Sequence, residues 1–385
     1  MTTCPVCGSN DLELLLERHR VPISQNGVLR DPALAVDVVR GELRMLVCQT
    51  CGFVFNERFD PDKVPYGASY DNNQLCSPLF TAHVDGILEY LVTQRSVRNS
   101  RVVEVGCGNG AFVRKLVADP ANSNTGYGFD PSYQGPEEDL GGRLRFERKY
   151  YDRAASALQA DVVVCRHVIE HVKEPLALLS SVREALASSP SPRLFFETPC
   201  VEWILRGRVI WDFFYEHCSL FSKESLTTAF ERSGFSVDRV RHVFEGQYLL
   251  LEATVGENAR NATPRPGHVP ALAREYKLDE ARFVADWSAR IRALSADAKL
   301  AVWGAGAKGV TFVNLLDPNH ELIDCVVDIN PNKQGAFIPG TGHPVVDYRT
   351  LRERGVSRAI LMNPNYADEN AALLRDAGLD VELIA

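Results

Sequence analysis

The residue types most able to do chemistry in this chain of 385 residues fall into two histidine-bearing stretches and two cysteine pairs. The first stretch runs Trp211-Asp212-Phe213-Phe214-Tyr215-Glu216-His217-Cys218-Ser219-Leu220-Phe221-Ser222. An unperturbed imidazole titrates near about 6.5, so His217 can be a neutral base at pH 7. Glu216 could stabilise the charged ring after it takes a proton. Neighbours on extended backbone point to opposite faces, so each of the pair is expected to have its own partner. The second stretch, Arg166-His167-Val168-Ile169-Glu170-His171, follows Asp161-Val162-Val163-Val164-Cys165, which has the composition of a buried strand. Ligands of open α/β sheets bind beyond the carboxyl ends of strands, which places Arg166, His167 and His171 at a cleft. The cysteines form Cys4-Pro-Val-Cys7 and Cys48-Gln-Thr-Cys51, each followed by glycine. One such pair could be a redox motif, but two copies favour four thiolates around one tetrahedral Zn²⁺. Such a site has no open position and is structural.

The elements that must position these groups begin with Val102-Val103-Glu104-Val105-Gly106-Cys107-Gly108-Asn109-Gly110. It reads as a strand, a glycine turn and the start of a helix. Glycine permits φ > 0 and close approach of a ligand, and the helix start offers free N–H groups. Dinucleotide sites use similar turns. Here, however, the spacing is G-x-G-x-G, an acid stands two residues before the first glycine, and Asp130 ends the next strand-like run. An acid at that place can accept both ribose hydroxyls. On these residues the segment resembles the class I S-adenosylmethionine (SAM) dependent methyltransferases. The resemblance implies a Rossmann-like core in which Glu104, Gly106, Cys107, Gly108, Gly110, Asp130, Arg166 and His167 surround the cofactor. Tyr150 and Tyr151 would then lie near the adenine.

The remaining segments read as an α/β chain of several parts. Residues 1–60 form the cysteine-bearing domain. Residues 61–99 contain Pro61, Pro65 and Gly67, then a helix predicted over 78–92 from Ser77-Pro78 and apolar spacing. This segment is either a joining helix or a lid that turns Tyr70, Gln74 and His83 toward the active site. Strand and helix signals alternate over 100–255, closed by a hairpin around Glu245-Gly246-Gln247, which implies a largely parallel sheet. Residues 256–296 hold linker markers (Asn258, Asn261, Pro264, Pro266, Gly267) and then a helix. Its apolar positions are Leu272, Tyr276, Leu278, Phe283, Trp287 and Ile291. Residues 297–385 restart the pattern as a second Rossmann-like domain, with the turn Gly304-Ala305-Gly306-Ala307-Lys308-Gly309 and a strand ending at Asp328. That spacing fits the dinucleotide fingerprint. The segment is short, and nothing near it suggests hydride transfer. A phosphate-bearing substrate or a structural turn is expected in place of a nicotinamide.

The net charge of −8 argues against a nucleic-acid partner. No apolar run reaches the roughly 20 residues that span a membrane, and the first residues lack a charged-then-apolar leader. A cytoplasmic protein is expected. Its ten cysteines then suit ligand or core roles better than disulfides.

Taken in order, the cysteine knuckles, the glycine turn, Tyr215-Glu216-His217 before a helix, GAGAKG, VDINPNKQG (327–335) and IPGTGHPV (338–345) resemble the bacterial nucleotide-diphospho-ketosugar C-methyltransferases of deoxysugar biosynthesis. The resemblance covers nearly the whole chain. It implies SAM, structural zinc, and an active site between the central and terminal domains. It also implies a catalytic pair that matches His217 and Glu216, and a second histidine that matches His171. Arg166, His171 or Tyr215 would hold an enolate oxygen. Tyr70, Gln74, His83, Gln247 and Lys308 are expected to meet the acceptor, a small molecule of the nucleotide-sugar type. Two departures stand out. The family has Tyr-Asp-Glu-His where this chain has Phe214-Tyr215-Glu216-His217, and a His-Gly-Gly turn where this chain has Glu245-Gly246-Gln247. O- or N-methylation therefore remains an alternative, as does a SAM-binding protein without catalysis. The oligomeric state is left open.

Overall fold

The computed structural model describes residues 2–64, 66–67, 70–256 and 263–385. Pro65 and the linker markers Asn258 and Asn261 lie outside the described residues. The N-terminal part is an antiparallel sheet of Leu12–Pro22, Arg40–Cys48 and Val54–Asn56, completed by Ser219–Leu220 from the central part. Register places Leu12 opposite Cys48, so the two cysteine knuckles meet at one end of the sheet. Both close alike: Gly8 N donates to Cys4 O and Gly52 N to Cys48 O, each at 2.9 Å. Both glycines have positive φ, as such a turn requires.

The central sheet has eight strands in the order Phe235–Val243, Tyr248–Val255, Arg193–Pro199, Val162–Arg166, Arg101–Val105, Thr125–Phe129, Leu144–Glu147, Glu138–Asp139. Neighbours from Arg193–Pro199 to Leu144–Glu147 pair in parallel. An antiparallel hairpin closes one edge. The short strand Glu138–Asp139 adds an antiparallel edge strand beside Leu144–Glu147. Val162 to Cys165 are buried, which matches a central strand covered on both faces. The terminal sheet is wholly parallel, in the order Val345–Val346, Ile323–Val327, Lys299–Trp303, Val356–Leu361, Glu382–Ile384.

Two helices join these parts. Pro78–Thr93 is capped by Ser77, whose Oγ accepts from Phe80 N at 3.1 Å. Val269–Ser295 packs Tyr276, Phe283 and Ile291 into one apolar cluster with Leu43 of the first sheet and Val302 of the last. It is a brace between them. Leu278, expected on its apolar face, is 84% exposed. It lies about 200° around the helix from Tyr276, on the opposite side. No helix among the described residues is long and apolar enough to cross a membrane.

Candidate functional site

A deep cavity opens between the central and terminal sheets. Its walls come from Asn26 of the first part, Gln74 and Ser77 of the joining segment, and His167, Glu170, His171, Phe214, His217, Gln247 and Tyr248 of the centre. The terminal part adds Gly304, Gly306, Lys308, Asp328, Lys333 and Asn363. At one end the His217 ring lies 4.8 Å from His171 and 4.1 Å from Phe214. His217 Nδ1 is buried without a hydrogen-bond partner. Burial, then the neighbouring His171, His167 and Lys308, hold its pKa well below the usual histidine value. Burial likewise lowers that of His171. Both rings are neutral at pH 7. His171 Nδ1 is 2.8 Å from the Tyr66 hydroxyl. Burial and the nearby Glu216 keep that phenol protonated.

The carboxylate beside this pair is Glu170. One oxygen of Glu170 and one nitrogen from each of His171 and His217 lie within 4.8 Å of one another. Glu170 is 1% exposed. Its Oε2 accepts from Thr198 Oγ1 at 3.0 Å, while Oε1 has no partner. Glu216 turns the other way. Its Oε1 accepts from Gln25 N at 2.6 Å, and burial raises its pKa to about 7. Glu216 lies in a turn and its Oε1 is held by Gln25 N, so the carboxylate brought beside His217 is Glu170, not Glu216 as expected.

Tyr215 is corrected in the same way. It is fully buried against Phe59, and its hydroxyl accepts from Asp60 N at 2.9 Å. It is out of reach of any enolate oxygen in the cavity. Phe214 faces the cavity in its place, and the phenol beside His171 is Tyr66. That tyrosine lies between Pro65 and Gly67, which read only as turn markers.

Of the lid residues, Gln74 lines the cavity. Tyr70 instead packs on Tyr66 and accepts from Asn26 Nδ2 at 3.5 Å. His83 does not reach the cavity. Its Nε2 lies 2.6 Å from Glu197 Oε1. Glu197 is a buried hub that the sequence reading missed. Arg166 Nε donates to its Oε2 at 2.8 Å, and His167 Nε2 lies 3.4 Å away. Burial would raise the Glu197 pKa, but Arg166 and His167 hold it well below the usual value. Burial alone would lower His167. Glu197 and Glu170 on either side instead lift it to about 9, so it is an imidazolium. His167 also holds φ of 55°, a conformation uncommon outside glycine and found at functional sites. Gln247 Oε1 accepts from Asn363 Nδ2 at 2.9 Å, and Lys308 Nζ donates to Asp212 Oδ2 at 2.7 Å.

The first glycine turn adjoins this cavity. Gly106, Gly108 and Gly110 all have positive φ. A Cβ on Gly106 would fall 2.1 Å from Val168 Cγ2, next to His167, whereas one on Gly108 would meet nothing within 4 Å. The turn is thus closed on one side and open on the other, which fits a ligand lying along Gly108. Asp130 Oδ2 accepts from Gly108 N at 2.8 Å, and its Oδ1 from Ser132 N at 2.8 Å. Glu104 is buried and accepts from Val113 N at 3.1 Å. Burial lifts its pKa to about 8. Cys107 is buried and its thiol is pushed up by burial, so it serves the turn through its backbone. Tyr151 packs on Phe129 and buries a hydroxyl without a partner, while Tyr150 is 58% exposed. Arg166 stacks on Phe112 of the following helix, 4.8 Å from its ring centre.

At the far end of the first sheet the four thiols pair across the knuckles, Cys4 to Cys51 at 3.6 Å and Cys7 to Cys48 at 3.5 Å. All four lie within 4.8 Å of one another, an arrangement compatible with a tetrahedral zinc site.

The fold and the glycine turn define a class I SAM-dependent methyltransferase. Residues 79–240 match the family described as methyltransferase domain, and residues 273–378 match the C-methyltransferase C-terminal domain. The chain is 26% identical over 393 aligned positions to C-methyltransferase NovU of Streptomyces niveus, covering 95% of this chain and 90% of that one. Together these matches support the C-methyltransferase family for this chain. Among solved structures it is similar to an O-methyltransferase family protein of Burkholderia thailandensis (19% identity, 46% of this chain and 57% of that one, TM-score 0.37). It is also similar to magnesium protoporphyrin IX methyltransferase of Synechocystis (22%, 46% and 83%, TM-score 0.36).

Proposed function

We propose that this enzyme methylates a carbon beside a ketone on a nucleotide-linked sugar, with His217 as the base. The observation that carries this reading is one cavity lined by two unlike features: a neutral imidazole, His217, whose Nδ1 has no partner, and a second glycine turn with Lys308 and Lys333. A ligand with a ketone and a phosphate-bearing tail has those two requirements. SAM supplies an electrophilic methyl group, and the first glycine turn with Asp130 and Tyr151 would hold it. His217 takes the α-proton, a role that typically contributes about 10² to 10⁴-fold. Glu170 stabilises the imidazolium that forms. With Tyr66 donating to Nδ1, His171 keeps its own proton on Nε2 and can donate it to the enolate oxygen, where a fixed donor is worth most. Phe214 and the buried walls exclude water around the base.

Zinc at Cys4, Cys7, Cys48 and Cys51 would tie the knuckles together structurally. Metal analysis of the purified protein should find about one zinc per chain. All ten cysteines are free, which suits a reducing cytoplasm.

A mass-spectrometric screen of nucleotide-sugar pools should reveal a product heavier by one methyl. With that acceptor in deuterated solvent, the α-proton should exchange in the wild type. In His217→Asn exchange should stop and turnover should fall by about 10² or more. Methylation without any exchange in the wild type would assign the reaction to oxygen or nitrogen. Exchange that survives in His217→Asn but not in His171→Asn would move the base to His171.

A further inference from the structure

Three side chains at the base end of the cavity converge with unused donor atoms. Glu170, His171 and His217 each offer one ligand atom, all within 4.8 Å of one another. Glu170 Oε1 and His217 Nδ1 are buried and have no hydrogen-bond partner. Glu170 is 1% exposed, and the cavity wall includes all three residues. Donors around an ion bonded at about 2.1 Å sit about 3.4 Å apart, so a closure of at most about 1.4 Å would bring these into range. Two imidazoles and one carboxylate are the donor set that suits first-row divalent ions.

We infer that Glu170, His171 and His217 form a second metal site, distinct from the four-thiolate cluster, that takes a first-row divalent ion with nitrogen and oxygen donors. The His171 nitrogen left for the ion is Nε2, with the ring proton then on Nδ1 and donated to the Tyr66 oxygen 2.8 Å away. His167 Nδ1 lies 3.5 Å from Glu170 Oε1, so an ion must compete with that contact for the carboxylate. The site is therefore weaker than the thiolate cluster and fills second. An ion there occupies the lone pair that a base at His217 needs, so filling it inhibits methyl transfer. That consequence rests on the proposed function; the binding itself does not.

The test is a cobalt(II) titration of the full-length protein whose thiolate cluster has first been filled with zinc, followed by visible absorption. A second ion per chain should bind and give weak d–d bands with no thiolate charge-transfer band in the near ultraviolet. Glu170→Gln and His171→Asn should each weaken that binding by more than about 10-fold, since even outer-shell partners contribute that much. Their zinc content should stay unchanged, which reports that the fold is intact. No ion beyond the zinc in the wild type overturns the site, as does cobalt that binds equally well to both variants or brings a thiolate band. Solvent exchange by His217→Asn, measured in chelator, reports on the base separately. Loss of exchange without a cobalt site removes the metal and leaves the base.

Discussion

The chain contains the same glycine turn twice, and the two copies correspond residue for residue: Gly106 with Gly304, Phe129 with Val327, Asp130 with Asp328, Ser132 with Asn330. In each, the first glycine donates to the end of the second strand at 2.8 Å. In each, the acid accepts from the turn at 2.8 Å, though from positions one residue apart: Gly108 N in one and Ala305 N, the counterpart of Cys107, in the other. In each, its second oxygen accepts from the backbone N–H two residues on, again at 2.8 Å. The differences lie in what surrounds this shared frame. Beneath the first turn stands Glu104, beneath the second Val302. The helix after the second starts at Ala307, the counterpart of Asn109, whereas the first starts at Ala111. Lys308 and Lys333 stand at the second turn, with the Lys333 ammonium held by Asn26 Oδ1 and Ala305 O. With Glu104 protonated at pH 7 by burial and Lys308 paired with Asp212, the two turns differ in the side chains packed on a shared backbone frame and not in a simple opposition of charge.

The largest effect should come from the earlier helix start. It folds Gly309 back onto the turn, where a Cβ would lie 1.9 Å from Gly304 O. The first turn tolerates Ala111 at that place. Gly309→Ala should therefore destabilise the protein at or above the upper end of the ~1–3 kcal/mol overpacking range, read as a lowered urea midpoint. Gly108→Ala meets open space and should cost about 1 kcal/mol through its positive φ alone. Equal losses in the two variants would mean that the turns are equally tight.

Next come the acids. Each accepts two backbone hydrogen bonds, and bonds to a charged group are worth roughly 1.5–3 kcal/mol. Asp130→Ala should weaken SAM by about 10 to 100-fold and leave acceptor affinity intact. Asp328→Ala should do the reverse. Calorimetry with each ligand checks the crossover. If both variants lose SAM alone, the second turn has no ligand of its own.

Both turns were legible in the sequence because glycine spacing and a strand-ending acid are local features. So were the knuckles, whose register follows from one hairpin. The directions of Tyr215 and Glu216 were not legible. They are set by Asp60 and Gln25, partners far away in the chain, which no local pattern reports. Glu170 stands one residue from His171, yet only the tight turn Ile169–His171 brings it to His217. Glu197 lies within the strand Arg193–Pro199 and carries no local signal of its own. Its role appears only once His83, Arg166 and His167 arrive from two other elements.

The last contrast, read as a slope with pH, concerns the acid that the second turn lacks. Glu104 is 3% exposed, and burial raises its pKa to about 8 although Arg166 and Val113 N oppose the shift. In the unfolded chain a glutamate titrates near about 4.3. Between those values the folded state binds the proton that the unfolded state has lost. Its contribution to stability is then fully present below about pH 4.3 and is lost as pH rises toward about 8. The slope from one such group cannot exceed about 1.4 kcal/mol per pH unit. Glu104→Gln keeps an oxygen for Val113 N and removes the titration. Thermal melts of this variant should decline less between pH 5 and pH 8 than those of the wild type. Val302→Ile, at the equivalent place under the second turn, should leave the slope unchanged, because no titratable group stands there. A wild-type slope that persists in Glu104→Gln would transfer the effect to Glu216, whose pKa is raised to about 7 by the same cause. Glu216→Gln, melted over the same range, would then carry the flattening.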